Sequence, residues 1–202
     1  RSHGTRLNQH LPAFDFFPLD AAEQQAYIVS GAAFIQRFTK HLNSGDGRFL
    51  CFPNARYLVP SVDWDHFKKP ENLVNAPWVT ENVIPLQSLS LMDLFEDGFN
   101  VTDEITAMMT PGHTPGHMAF LVDSSGEKGA IIGDAIHSKV QIQQPSWCAG
   151  VDIDKAASER SRRELIDRAL SGGYVIAAGH FHPDEHFGRI LTKDTRHYWQ
   201  KV

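Results

Sequence analysis

Two imidazoles stand in one short frame, Thr110-Pro111-Gly112-His113-Thr114-Pro115-Gly116-His117. Proline and glycine at this density exclude a helix and favour a fixed turn, so each ring is held in a set direction. Metal ligation asks for that, because the imidazole lone pair has to meet a zinc ion at about 2.0–2.1 Å. A surface turn with solvated histidines is the competing reading, and the doubled Pro-Gly-His argues against it. A carboxylate follows in Gly133-Asp134-Ala135-Ile136-His137, directly after the apolar Ala130-Ile131-Ile132. An acid where a buried strand leaves its sheet is costly unless a cation or a set of donors pairs with it. A metal is one such partner, and capping of an ordinary turn is the other reading. The third stretch, Ala178-Gly179-His180-Phe181-His182-Pro183-Asp184-Glu185-His186, brings three more histidines after an apolar run. His180 lies nearest that run and is the one placed to point inward, while His182 and His186 read as solvated loop residues.

These residues need strand ends to hold them. Glu104 to Met109, Met118 to Asp123 and Ala130 to Ile136 read as three strands divided by Gly- and Pro-bearing turns, which suits sequential neighbours in one sheet. Upstream, Arg56 to Val59 reads as a strand stopped by Pro60. Asp63 then offers an N-cap for a brief helix through Trp64, His66 and Phe67, and a second short helix is expected over Leu89 to Phe95. Downstream, Ile153, Ala157, Ser161, Leu165 and Ala169 recur every fourth residue and Gly172-Gly173 closes the series, which predicts an amphipathic helix from about Asp154 to Leu170. Its remaining face carries Arg160, Arg162, Arg163 and Glu164, so the helix is expected to cover the outer face of the sheet and to contribute no catalytic group. Tyr174 to Ala178 predicts a buried strand running into His180, and the tail from Arg189 predicts one more. Strands, one long helix and a further strand make a layered α/β fold.

A chain of 202 residues, 42% of them hydrophobic, can bury a sizeable core, and one domain over residues 1–202 is expected. The formal charge of -5 and the pI near 6.1 come from interspersed acids and bases with no basic stripe, which argues against a nucleic-acid partner. No apolar run is long enough to span a membrane and no early segment is built like a signal peptide, so a soluble chain without a membrane partner is expected. Cys51 and Cys148 are too few and too far apart for a disulfide scaffold or a CxxC knuckle, which suits a reducing, cytoplasmic compartment. No GxSxG elbow, P-loop or GxGxxG occurs, so serine hydrolase and nucleotide-binding readings lack their motifs. Arg1-Ser2-His3-Gly4-Thr5 has no initiating Met, so the numbering can conceal further sequence.

Taken together, TPGHTPGH at 110–117, GDAIH at 133–137, the long helix and a last strand running into His180-Phe181 resemble the metallo-β-lactamase superfamily. Within it, the likeness is to the branch of N-acyl-homoserine lactone lactonases and methyl-parathion-hydrolase-like enzymes. Asp46-Gly47-Arg48, Phe52-Pro53-Asn54-Ala55-Arg56-Tyr57-Leu58-Val59, Asp63-Trp64-Asp65, Val140-Gln141 and Pro145-Ser146-Trp147 extend it from about Asp46 to the end. The resemblance implies an αββα sandwich, with one or two zinc ions, or another divalent transition metal, at one edge between the sheets. By position it makes His113 a ligand of the first metal, Asp134 the catalytic carboxylate bridging both, and His180 a ligand of the second. His117, His137, Trp147 and Phe181 are expected around these ligands, as supports or as substrate contacts. His117 aligns with a support position, and Trp147, Phe181 and Phe187 read equally as walls of an apolar pocket or as core aromatics. The implied reaction is hydrolysis of a small-molecule ester, lactone or phosphoester by a hydroxide held on the metals. The oligomeric state is left open.

One motif of that family is missing from the sequence. Its other ligands come from HxHxDH upstream of the DGR segment, and the corresponding stretch, Ile28 to His41, has a single histidine and no acid. Three outcomes are open. The chain can be an incompletely represented piece of an ordinary enzyme, or a degenerate member truncated on its N-terminal side that persists as an inactive binding or structural module. Alternatively, His3, His10 and His41 fold back to replace the lost ligands. A metal-dependent hydrolase is the leading expectation and the inactive module its alternative. The ligand count predicts at most one tightly held metal and weak hydrolysis or none.

Overall fold

The structure is a computed structural model in which residues 26–28 and 55–202 are described. Strands β1 (Ala26–Ile28), β2 (Arg56–Pro60) and β3 (Met92–Phe95) pair in parallel in that order as a three-stranded sheet. Between β2 and β3 lie α1 (Ser61–Phe67), α2 (Pro70–Leu73), a π-helical turn (Val79–Val83) and α3 (Ile84–Ser88). A second sheet runs β4 (Ile105–Met109), β5 (Met118–Ser124), β6 (Glu127–Ile131), β7 (Val175–Ala177), β8 (Phe187–Lys193) and β9 (Arg196–Lys201) in sequential order. Its neighbours are antiparallel except β6 and β7, which are parallel across a crossover holding α4 (Val140–Gln143) and α5 (Lys155–Gly172).

Alternation along the strands explains the layering, since successive side chains leave opposite faces. On β5, Met118 and Phe120 meet Leu58 and Phe95 of the smaller sheet, while Ala119 packs with Leu165, Ile166 and Ala169 of α5. On β2, Leu58 faces the larger sheet and Val59 packs with Trp64, Ala76, Val79 and Val83 of the helical segment. The order of layers is therefore helix, sheet, sheet, helix: an αββα sandwich. Among the described residues no helix is long and apolar enough to cross a membrane.

Several elements differ from their sequence expectations. The chain enters α1 through Pro60, without a side-chain cap, and Asp63 sits in the first turn with its carboxylate committed elsewhere. Met92 to Phe95 is a strand and not part of a helix, because the chain reverses at Ser90 (φ 57) and β3 has partners in β2 and apolar layers on either side. The third expected strand starts earlier, at Glu127, after a Ser125-Gly126 turn with both φ positive, and stops at Ile131 ahead of Gly133 (φ 50). The tail is a hairpin of two strands whose Asp194-Thr195 turn also has both φ positive. Helix α5 is capped by the Asp154 side chain, which accepts from Ala157 N, and ends on Gly173 in the left-handed region. Ile153 stays outside it and is exposed. Beyond Ile28, the stretch matched to the missing HxHxDH motif, with His3, His10, His41 and Cys51, lies outside the described residues.

Candidate metal centre

The 110–117 frame is the whole connection between β4 and β5, whose last pair is Met109 and Met118. It is clamped from both sides. Asp63, on α1, accepts the Gly116 N–H at 2.6 Å and the Thr114 hydroxyl at 2.7 Å. Burial pushes the Asp63 carboxyl above its usual range despite these bonds. From the other side, Ser161 of α5 donates to Pro111 O at 2.7 Å and Gly112 O accepts Asp154 N–H at 2.9 Å. Gly112 has φ 137, and a Cβ there would stand 2.1 Å from the Ser158 backbone nitrogen, so only glycine permits this approach.

The clamp aims His113 at Asp134. Its Nε2 lies 3.7 Å from Asp134 Oδ2, and its Nδ1 lies 3.2 Å from Asp152 Oδ1. Asp134 follows β6 and is buried, with Oδ1 in hydrogen-bond contact with His180 Nε2. Burial alone would raise the Asp134 carboxyl, but the His180 bond and the nearby His113 and His117 outweigh it and hold it below the usual carboxylate range. The same hydrogen bond raises the His180 pKa above its ordinary value. His117 is wholly buried and its burial depresses the ring to about 4, so it is neutral. Its Nε2 accepts the Asp134 backbone N–H at 2.9 Å, which places the ring proton on Nδ1, facing the Thr110 hydroxyl at 2.8 Å.

His137 lies among the same donors. Its ring stacks on His180 with centroids 4.5 Å apart and lies 5.2 Å from His113, and its buried Nδ1 has no hydrogen-bond partner. Burial, then the charges of His180 and His113, depress its pKa. Two donor clusters include it, His113 with His137 and Asp152, and Asp134 with His137 and His180, the donor atoms of each lying within 4.8 Å of one another.

The structure thus brings His113, Asp134 and His180 together, with His117 beneath Asp134. Trp147, in the loop between α4 and α5, is 60% exposed. Phe181 is core: it is buried under α5 with its ring 4.8 Å from that of Trp199. Of the remaining tail histidines, His182 is exposed and pairs only with Asp184. Sequence reasoning missed Asp63, Asp152 and Arg162. Asp154 takes the helix cap and leaves Asp152 outside it, which was one available signal. Arg162 falls on the buried stripe Ser158, Arg162, Ile166, Ala169, so the expectation that α5 presents it on its charged outer face is corrected.

No family model and no curated protein matches the chain. Among solved structures, the hydrolase AbOPH of the beta lactamase superfamily aligns with a TM-score of 0.67 and 23% identity, over 75% of this chain and 56% of its own. AidC, a dizinc quorum-quenching lactonase in complex with a homoserine product, aligns with a TM-score of 0.64 and 20% identity, over 76% and 57%. A probable metal-dependent hydrolase from Staphylococcus aureus aligns with a TM-score of 0.61 and 19% identity, over 76% and 55%. The chain has the fold of metallo-β-lactamase-superfamily hydrolases. It spans just over half the length of these solved structures.

Proposed function

We propose that this chain serves a metal-dependent hydrolysis of a small ester, lactone or phosphoester, with His113, Asp134 and His180 as metal ligands. The observation that carries the reading is the gathering of His113, His137 and His180 about the buried Asp134 carboxylate. The donor set fits zinc or a similar divalent ion, for which neutral imidazole and carboxylate are ordinary ligands. The orphaned, buried Nδ1 of His137 fits as well, being a polar atom whose desolvation nothing among the described residues offsets. An ion bound there would supply Lewis acidity toward the substrate oxygen and lower the pKa of a water.

The chain's own residues define the rest. Asp134 offers two oxygens, one toward His113 and one toward His180, and is the group placed to tie the donors together. His117 fixes the backbone under Asp134 and takes no substrate, because its ring is fully enclosed. The exposed indole of Trp147 is the apolar surface we assign to an acyl or aryl group, whereas Phe181 is occupied in the core. The lactonase among the structural neighbours, solved with a homoserine product, supports a small-molecule substrate.

The two donor clusters share His137, which can complete three ligands on only one of them. We therefore read one tightly held ion. The test is metal content after zinc or manganese loading, together with turnover of a lactone and an aryl phosphotriester. About one ion per chain, lost in His180→Ala, with turnover that depends on it, is expected. Failure of the wild-type chain to hold any ion would overturn the reading, and so would two tightly held ions. Metal retained without turnover of either substrate supports the non-catalytic module instead, which the missing HxHxDH motif favours.

A further inference from the structure

Arg162 is the largest fully buried side chain of the described residues, 0% exposed on the inward face of α5. A guanidinium removed from water is costly unless its donors and charge are met. Its Nε donates to Ala135 O at 3.0 Å, and its Nη1 donates to Pro145 O and, at 3.3 Å, to Trp147 O. Nη2 has no hydrogen-bond partner and faces Asp152 Oδ2 at 3.7 Å. Asp152 is equally enclosed. Its Oδ2 accepts the Ala149 N–H at 3.1 Å, and its Oδ1 lies 3.2 Å from Nδ1 of His113.

We infer that Asp152 and Arg162 are positioning residues that set the tautomer and direction of His113. The carboxylate takes the Nδ1–H bond, so the ring proton stays on that side and the Nε2 lone pair is left free toward Asp134. Arg162 holds the Asp152 carboxylate by its charge and, through Ala135 O, also holds the turn that carries Asp134. Two donors on separate segments are thereby referred to one guanidinium. The alternative, Asp152 as a metal ligand in its cluster with His113 and His137, leaves the His113 tautomer independent of Asp152.

The inference rests on the metal-binding reading for its affinity effect and stands apart from it for the tautomer, so both are measured on the full chain. Long-range proton–nitrogen spectra of metal-free, histidine-labelled protein report which nitrogen of His113 carries the proton. Zinc affinity is read by competition with a chromophoric chelator. In the wild type we expect the Nδ1–H tautomer. In Asp152→Ala we expect a mixture, with zinc affinity lowered about 10–100-fold, the range for removing an outer partner of a metal-ligating histidine. Asp152→Asn, whose amide oxygen can still accept, should keep the tautomer and lose less. Arg162→Met should lower affinity about tenfold, on the same ground, and supplies the test if Asp152→Ala does not fold. Arg163→Ala, which loses only a surface pair with Glu159, is the control and should change neither quantity. An unchanged His113 tautomer in folded Asp152→Ala overturns the inference whatever the affinity does, and so does unchanged affinity in folded Arg162→Met. Should the wild type bind no zinc while its tautomer still depends on Asp152, the metal reading falls and the positioning role stands.

Discussion

The ring of His117 lies beneath Asp134 and accepts its backbone N–H through Nε2 at 2.9 Å, while Nδ1 faces the Thr110 hydroxyl at 2.8 Å. The Nε2 bond requires the neutral ring, because a protonated Nε2 cannot accept. Burial depresses its pKa from 6.5 to about 4, so on acidification the unfolded chain takes up this proton first. His117 therefore costs nothing above the unfolded value of 6.5 and draws stability down as the pH falls from there toward 4. The effect is roughly 3 kcal/mol across that window. Urea unfolding of metal-free protein should show this loss between neutral and acidic pH. His117→Gln should be less stable at neutral pH and should lack that part of the slope; an identical slope in the variant would refute the assignment.

Gly133 sets the same contact from the backbone side. Its φ is +50, and a Cβ would stand 2.7 Å from His117 Nε2. Gly133→Ala should therefore cost more than the roughly 1–2 kcal/mol of left-handed backbone alone, and should weaken zinc binding by pushing His117 off Asp134. Gly126→Ala is the comparison, since Gly126 also has positive φ but nothing within 4 Å of the added carbon. Equal destabilisation of the two variants by chemical denaturation would show that the His117 contact does not matter.

Asp63 joins the two sheets at the site by holding the 113–117 turn from α1. Asp63→Ala strands the Gly116 N–H and the Thr114 hydroxyl, at a cost of about 1–3 kcal/mol for each buried group left unmet. Asp63→Asn keeps an acceptor for one of them and, because burial already penalises the charged carboxylate, should be much the milder change. Thermal melts rank the two variants, and a milder Asp63→Ala would be inconsistent with the clamp.

His137 belongs to both donor clusters, whereas His182 is solvent-exposed and belongs to neither. His137→Ala should lower zinc affinity tenfold or more, on the order of 1.4 kcal/mol, and His182→Ala should leave it unchanged. Isothermal titration of the two variants settles the order, and equal affinities would return His137 to a supporting role.

Much of the candidate site was legible because its proposed ligands sit where proline and glycine punctuate strand ends: His113 in its doubled frame, Asp134 after an apolar run, His180 after the last core strand. Less was legible where an ordinary residue type does unusual work. Arg162 reads as a solvated charge, since helix periodicity marks a position as inward but cannot say which carbonyls await a guanidinium there. Asp63 reads as a cap, and its partners lie 51 and 53 residues away. The tail hairpin was hidden because Asp194-Thr195 turns with positive φ and no glycine. Residues Leu89 to Phe95 show that a short apolar run takes its conformation from the sheet beside it, here β2.

The parallel pairing of β6 with β7 has a kinetic consequence. Ile131 pairs with Ala177 across the whole α4–α5 crossover, and Asp134 and His180 each lie three residues beyond that pair. The β4–β5–β6 meander and the β8–β9 hairpin close over much shorter loops, so loop-closure entropy delays the β6–β7 joint until α5 has docked. The donors on its two sides meet only when that joint forms. An ion held as proposed could not then nucleate this fold from both halves of its site; it would arrive at a nearly finished protein, and its hold would show in how slowly the last joint reopens.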